Sequence, residues 1–154
     1  MEESLNSKYS TDEEQIDFGV LDQLLGYKLR RAQLKFFSRF SAACSDLGIS
    51  PGLFGVLVIV KENPGLTQTA VAQALGNDRS AMVAAVDKLE QMSLIERRPS
   101  KKDRRSYALF LTPSGETFSE RMIERVIDQE EGQYQRLKDG EKEWLLDVLT
   151  RLAN

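Results

Sequence analysis

The sequence predicts a mainly α fold (α+β), with helices at both ends and a small two-stranded β element between them. Three observations carry that prediction. Apolar residues recur at three- and four-residue steps from Leu21 to Ala43 and again from Phe118 to Leu152, the spacing of amphipathic helices. In the middle, Thr67-Gln68-Thr69 opens a short periodic run (Ala70, Val71, Ala74, Leu75) that stops at Gly76. Asp78 then opens a second run, with Met82, Val83, Val86, Leu89 and Met92 in step. Finally, two strand-like runs, Leu94 to Arg98 and Ser106 to Leu111, flank the basic stretch Pro99 to Arg105.

Each element has a local reason. From Leu21 to Asp46 the residues Leu21, Leu24, Leu25, Leu29, Ala32, Phe36, Phe37, Phe40 and Ala43 form one wide apolar face. Gly48 is placed to end that helix as a left-handed cap. Ser50-Pro51 starts the next one, serine as N-cap and proline in the first turn. It runs through Leu53, Phe54, Val56, Leu57, Val58 and Val60, apolar on nearly every side, to the stop at Asn63-Pro64-Gly65. Thr67 caps a helix of about 67–75, Gly76-Asn77 turns the chain, and a helix of about 78–92 follows with Met82, Val83, Val86 and Leu89 as its buried stripe. Helix, tight turn, helix and basic hairpin together are the layout of a winged helix-turn-helix. Thr112-Pro113-Ser114-Gly115 restarts a long helix that Asp139-Gly140 breaks. A last helix, Glu141 to Ala153, carries Trp144, Leu145, Val148, Leu149 and Leu152 on its apolar face. The terminal helices lack a large core of their own, so their apolar faces are expected to pack against a second copy of the chain.

The organisation expected is therefore an N-terminal arm and dimerisation helix (1–48), a winged lobe (49–112) and C-terminal dimerisation helices (113–154). At 154 residues the chain fits one domain, here intertwined with its partner. No run approaches the roughly 18 to 20 apolar residues of a membrane helix. The start, MEESLNSKYS, is acidic and polar, unlike a secretory signal or transit peptide, and residues 1–17 are expected to form a loose arm. Cys44 is the lone cysteine, which suits a reducing, cytoplasmic setting.

There is no histidine, so Ser-His-Asp and Cys-His catalysis and histidine-ligated zinc are excluded. No catalytic constellation, metal site or cofactor motif is found. The net charge of −3 conceals a pattern: residues 1–19 carry −5, 20–47 carry +3, 48–112 carry +3 and 113–154 carry −4. Positive charge gathers in the middle, and nucleic-acid binding depends on the local patch.

Double-stranded DNA is the partner this arrangement implies. The 78–92 helix would enter the major groove, with Arg79, Ser80, Ala81, Ala84, Ala85 and Lys88 outward. Arg79 could reach guanine or a phosphate, Ser80 a phosphate or base edge, and the alanine methyls thymine methyls. Thr67, Gln68 and Thr69 open the helix before it. Arg98, Lys101, Lys102 and Arg104 belong to the hairpin, whose form suits the minor groove or flanking phosphates. Plainer readings exist for each: small residues favour helicity, and charged hairpins blunt sheet edges.

Leu53-Phe-Gly-Val-Leu57, Glu62-Asn-Pro-Gly-Leu-Thr-Gln68, Asp78-Arg-Ser80, Leu94-Ile-Glu-Arg-Arg98, Asp103-Arg-Arg105 and Leu111-Thr-Pro-Ser-Gly115 resemble the MarR family, the multiple-antibiotic-resistance-type regulators of bacteria and archaea. The resemblance covers about residues 20–153. It implies a homodimer with a helical dimerisation region from both termini and two winged lobes on a pseudo-palindromic operator, usually acting as a repressor. It also implies that Asp103 and Arg105 pair to hold the wing, with Arg104 free for the minor groove. Ala84 and Ala85 depart from the arginine or polar residue common among relatives. A small-molecule effector is implied in a cleft whose positions here are Tyr27, Arg31, Phe54 and Val58, an aromatic-plus-cation set that suits an aromatic carboxylate or phenol. Cys44 does not match the position of the oxidant-sensing relatives' cysteine, so a buried, inert thiol is expected. Two other classes stand beside this reading: a winged-helix module that binds a protein partner, and an enzyme, for which no constellation is present.

Overall fold

The computed structural model describes residues 16–154, so most of the expected arm lies outside the described residues. The chain forms two compact units that meet in sequence between Lys35 and Phe36. In the first, a 3-10 turn spans Gly19–Gln23 and the long helix α1, Leu25–Cys44, begins. The expected start at Leu21 is thus corrected. Leu24 is extended (φ −90°, ψ 122°), and Gly19 takes a positive φ of 52° to close the tighter turn. No side chain caps a helix there, and Asp22 pairs with Lys28 at 2.9 Å. Phe18 packs near Tyr27, ring centres 6.0 Å apart, and the Arg31 guanidinium lies 5.0 Å over the Phe18 ring.

The second unit is built on α2, Pro51–Glu62. Ser50 caps it by accepting the Leu53 N–H, with Pro51 in the first turn, as the sequence predicts. Its mean composition is so apolar that one face cannot be singled out, and it sits at the centre: Val56, Leu57 and Val60 are buried against Val71 of α3 (Gln68–Leu75) and Met82, Val86 and Leu89 of α4 (Arg79–Gln91). Ile95 of β1 (Ile95–Pro99), Leu109 of β2 (Tyr107–Leu111), and Met122 and Val126 of α5 (Pro113–Tyr134) close the same core. Phe40, Cys44 and Ile49 join it from the end of α1 and the turn that follows. The expected buried thiol is found: Cys44 is fully buried, and burial pushes its pKa up. Helix α6, Glu141–Ala153, ends the chain.

β1 and β2 pair antiparallel, from Ile95 opposite Leu111 to Pro99 opposite Tyr107. The stretch before α3 adds a short third rung: Thr67 bridges Ala108, and the Leu109 N–H donates to the Leu66 carbonyl at 3.0 Å. The loop between α4 and β1 is locked onto the start of α5. Ser93 has a positive φ of 60°, and its carbonyl accepts from the Thr112 and Ser114 hydroxyls. Gly115 makes that seat possible, because a Cβ there would lie 2.0 Å from the Leu94 carbonyl oxygen.

The facing of α4 differs from the expected one, whereas α6 leaves its apolar side uncovered among the described residues, as expected. On α4, Val83 is 40% exposed, while Ala85 packs on the core. Met82, Val86 and Leu89 already fill the space at three- and four-residue steps, so the turn of the helix carries Val83 outward. On α6, no residue is buried within the chain, and Trp144 is 64% exposed. Among the described residues, no single helix is long and apolar enough to cross a membrane.

Candidate nucleic-acid interface

The helix pair is set by local chemistry. Thr67 accepts the Ala70 N–H at 3.2 Å to start α3, and Gly76 ends it in the left-handed conformation (φ 66°) that a tight turn needs. Asp78 then accepts the Ala81 N–H at 2.7 Å and starts α4. With Met82, Val86 and Leu89 directed inward, Arg79, Ser80, Ala81, Val83, Ala84 and Lys88 are left exposed. This surface has short side chains near its beginning and cations at both ends, so another macromolecule's backbone can come close.

The wing tip is a self-contained turn. Ser100 is buried, and its hydroxyl accepts the N–H groups of Lys102 and Asp103. The Asp103 carboxylate accepts the Arg105 backbone N–H at 2.9 Å, and the Ser106 N–H donates to the Asp103 carbonyl. The expected pairing of Asp103 with Arg105 is therefore corrected in kind. The acid holds the backbone of residue 105, and among the described residues the Arg105 guanidinium has no ion pair. An aspartate two residues back reaches a turn N–H more easily than a side chain directed away from it. Lys101, Lys102, Arg104 and Arg105 are all exposed, and among the described residues none has a carboxylate partner.

The two strand arginines behave differently from the tip. Arg98, an expected DNA contact, pairs with Glu96 and stacks 4.0 Å over the Phe110 ring on the outer face of the hairpin. Its charge is already partly answered. Arg97 was not among the expected site residues. It shares the inward face of β1 with Ile95, and its guanidinium reaches Asp87 on α4 at 2.7 Å and Gln68 on α3 at 3.1 Å. Period-two alternation from Ile95 could have placed Arg97 on the inner face, but nothing local names its partners. Gln68 is thus engaged inside the lobe, and Thr67 is used as a cap, whereas Thr69 stays exposed with its hydroxyl 3.4 Å from that of Ser106. Between α3, α4 and the wing lies a concavity of about 340 Å³ lined in part by Thr69, Arg79, Val83, Arg105 and Tyr107.

Of the expected pocket residues, Tyr27 and Arg31 belong to the first unit, against Phe18. Phe54 and Val58 belong to α2 in the second, Phe54 with its ring centre 5.8 Å from that of Phe40.

A capped helix pair with an exposed second helix, followed by a basic two-stranded wing, defines a winged helix-turn-helix DNA-binding transcriptional regulator. The MarR family model matches residues 49–107. A Thauera aromatica protein assigned to regulation of its hcr operon is 38% identical over 144 residues, 93% of this chain and 87% of that protein. The chain belongs to the MarR family. The transcriptional repressor CouR, solved on a 23-mer DNA duplex, is 35% identical over 92% of this chain and all of that one, with a TM-score of 0.84. CouR solved with p-coumaroyl-CoA is 33% identical over 91% of this chain and 99% of that one, with a TM-score of 0.83.

Proposed function

We propose that this protein is a homodimeric repressor that holds a pseudo-palindromic operator and leaves it when a phenolic acyl compound binds. The observation that carries the DNA half is the wing: four exposed bases at its tip have no acidic partner among the described residues, beside a recognition helix with an open, short-side-chain surface. Arg79, Ser80, Ala81, Ala84 and Lys88 of α4 face the major groove, Thr69 the adjoining backbone, and Lys101, Lys102 and Arg104 the minor groove or its phosphates. Residues 49–112 form the DNA-binding lobe. Residues 1–48 and 113–154 form the dimerisation region, supported by the exposed Leu25, Phe37, Trp144 and Leu152. The two recognition helices then meet half-sites roughly 34–36 Å apart. The role is regulatory and not catalytic, in the compartment that holds the DNA.

The effector class is supported by the p-coumaroyl-CoA bound to the CouR relative. Tyr27, Arg31, Phe54 and Val58 are the residues proposed to contact it. A ligand that prefers a dimer with wrongly spaced recognition helices draws the population off DNA in proportion to that preference. The test is titration of the protein against a duplex that it selects from a random library, at two salt concentrations, with and without p-coumaroyl-CoA. Tight, salt-steep, sequence-selective binding released by the thioester but not by free coenzyme A supports the whole reading. Binding that ignores sequence and salt would overturn the operator and favour a protein partner.

A further inference from the structure

Arg97 is the most heavily partnered cation of the winged lobe, and its side chain is only 16% exposed. Every nitrogen of its guanidinium is engaged. Nε donates to Gln68 Oε1 at 3.1 Å, Nη2 meets Asp87 Oδ1 at 2.7 Å and the Val83 carbonyl at 3.5 Å, and Nη1 meets Glu90 Oε2 at 3.5 Å. The group also lies 5.9 Å from the centre of the Tyr107 ring on β2. One side chain on β1 therefore touches α3, α4 and β2 together.

We propose that Arg97 is a positioning residue for operator selectivity: it sets the wing against the recognition helix and screens Asp87 and Glu90 from DNA phosphates, without touching DNA itself. The inference rests on the DNA-binding reading above. Asp87 and Glu90 lie exposed on the helix that enters the groove, where an uncompensated carboxylate would repel a polyanion. A phosphate could recruit Arg97 only by drawing its guanidinium away from the Asp87 and Glu90 carboxylates and the Gln68 amide oxygen. A lysine cannot replace it, since an ammonium lacks the planar geometry that serves two helices at once.

The experiment compares wild type, Arg97→Ala, Arg97→Lys, Asp87→Asn and the Arg97→Ala/Asp87→Asn double variant. Affinities are measured for the selected duplex and for an unrelated duplex across a salt series, with thermal unfolding in parallel. Both Arg97 variants are expected to lose about tenfold or more in operator affinity, the scale of a charged hydrogen bond, with a smaller loss on unrelated DNA. The salt slope stays at its wild-type value. Asp87→Asn weakens operator binding in the wild-type background and strengthens it in the Arg97→Ala background, because there it removes an uncovered acid. The opposite pattern overturns the proposal: equal loss on both duplexes, a slope lower by about one phosphate contact, and Asp87→Asn strengthening binding in both backgrounds. Full affinity in Arg97→Lys overturns it as well, and leaves the DNA-binding reading standing. If wild type selects no duplex, both fall together. Should Arg97→Ala not fold, Arg97→Lys and Asp87→Asn decide alone.

Discussion

Arg104 and Arg97 are both wing arginines, yet their surroundings give them opposite work. Arg104 is exposed at the tip and makes no ion pair among the described residues, so Arg104→Ala should leave folding unchanged while lowering operator affinity and reducing the salt slope by about one. A fluorescence-anisotropy salt series reads both numbers, and an unchanged slope would remove Arg104 from the phosphates. Tyr134 supports a different prediction. Its hydroxyl donates to the Glu130 carboxylate, and that bond, with burial, pushes the phenol up to about 12. In the unfolded chain the phenol titrates near about 10. Below that value both states hold the proton and the bond contributes fully. As pH rises from about 10 through about 12 the unfolded chain releases its proton first, so stability falls. Urea unfolding midpoints should drop over that range, and less steeply in Tyr134→Phe.

Among the elements, the helix starts were the most legible, because a cap is a local bond between residues three apart. Ser50, Thr67, Asp78 and Thr112 each accept the N–H three residues on. The facing of α4 was less legible. A helix with Met82, Val83, Ala85 and Val86 in succession can turn either way, and only the packed neighbours decide that Ala85 goes in and Val83 out. The start of α5 after β2 was visible as Thr-Pro-Ser-Gly, but not the need for its glycine, which is the Leu94 carbonyl against Gly115. Gly115→Ala is expected to cost about 3 kcal/mol, the upper range of overpacking, because the obstacle is backbone and cannot swing aside. Chemical denaturation measures it; a loss below about 0.5 kcal/mol would mean that α5 shifts freely on the lobe.

For the whole molecule, the exposed apolar face of α6 is the feature that the described residues of a single chain leave uncovered. Trp144 and Leu152 are exposed by more than half on a helix with no buried residue. Large apolar surface of this kind marks an interface. Trp144→Glu and Leu152→Glu together should halve the solution mass seen by light scattering and weaken operator binding, since one lobe then reaches one half-site. A wild-type protein that is itself monomeric would refute the dimer.

By itself the sequence determined what local chemistry can write: the order of the helices, their caps and turns, the basic wing, and the family to which these belong. Tertiary structure decided which cations are spent and which are free. Arg97, Arg98 and Arg104 look alike along the chain, but β1 turns Arg97 onto Asp87 and Gln68, turns Arg98 onto Glu96 and Phe110, and leaves Arg104 in the open. The physical reason is that a charge is answered by whatever the fold brings within a few ångströms, and Gln68 lies 29 positions from the arginine it binds.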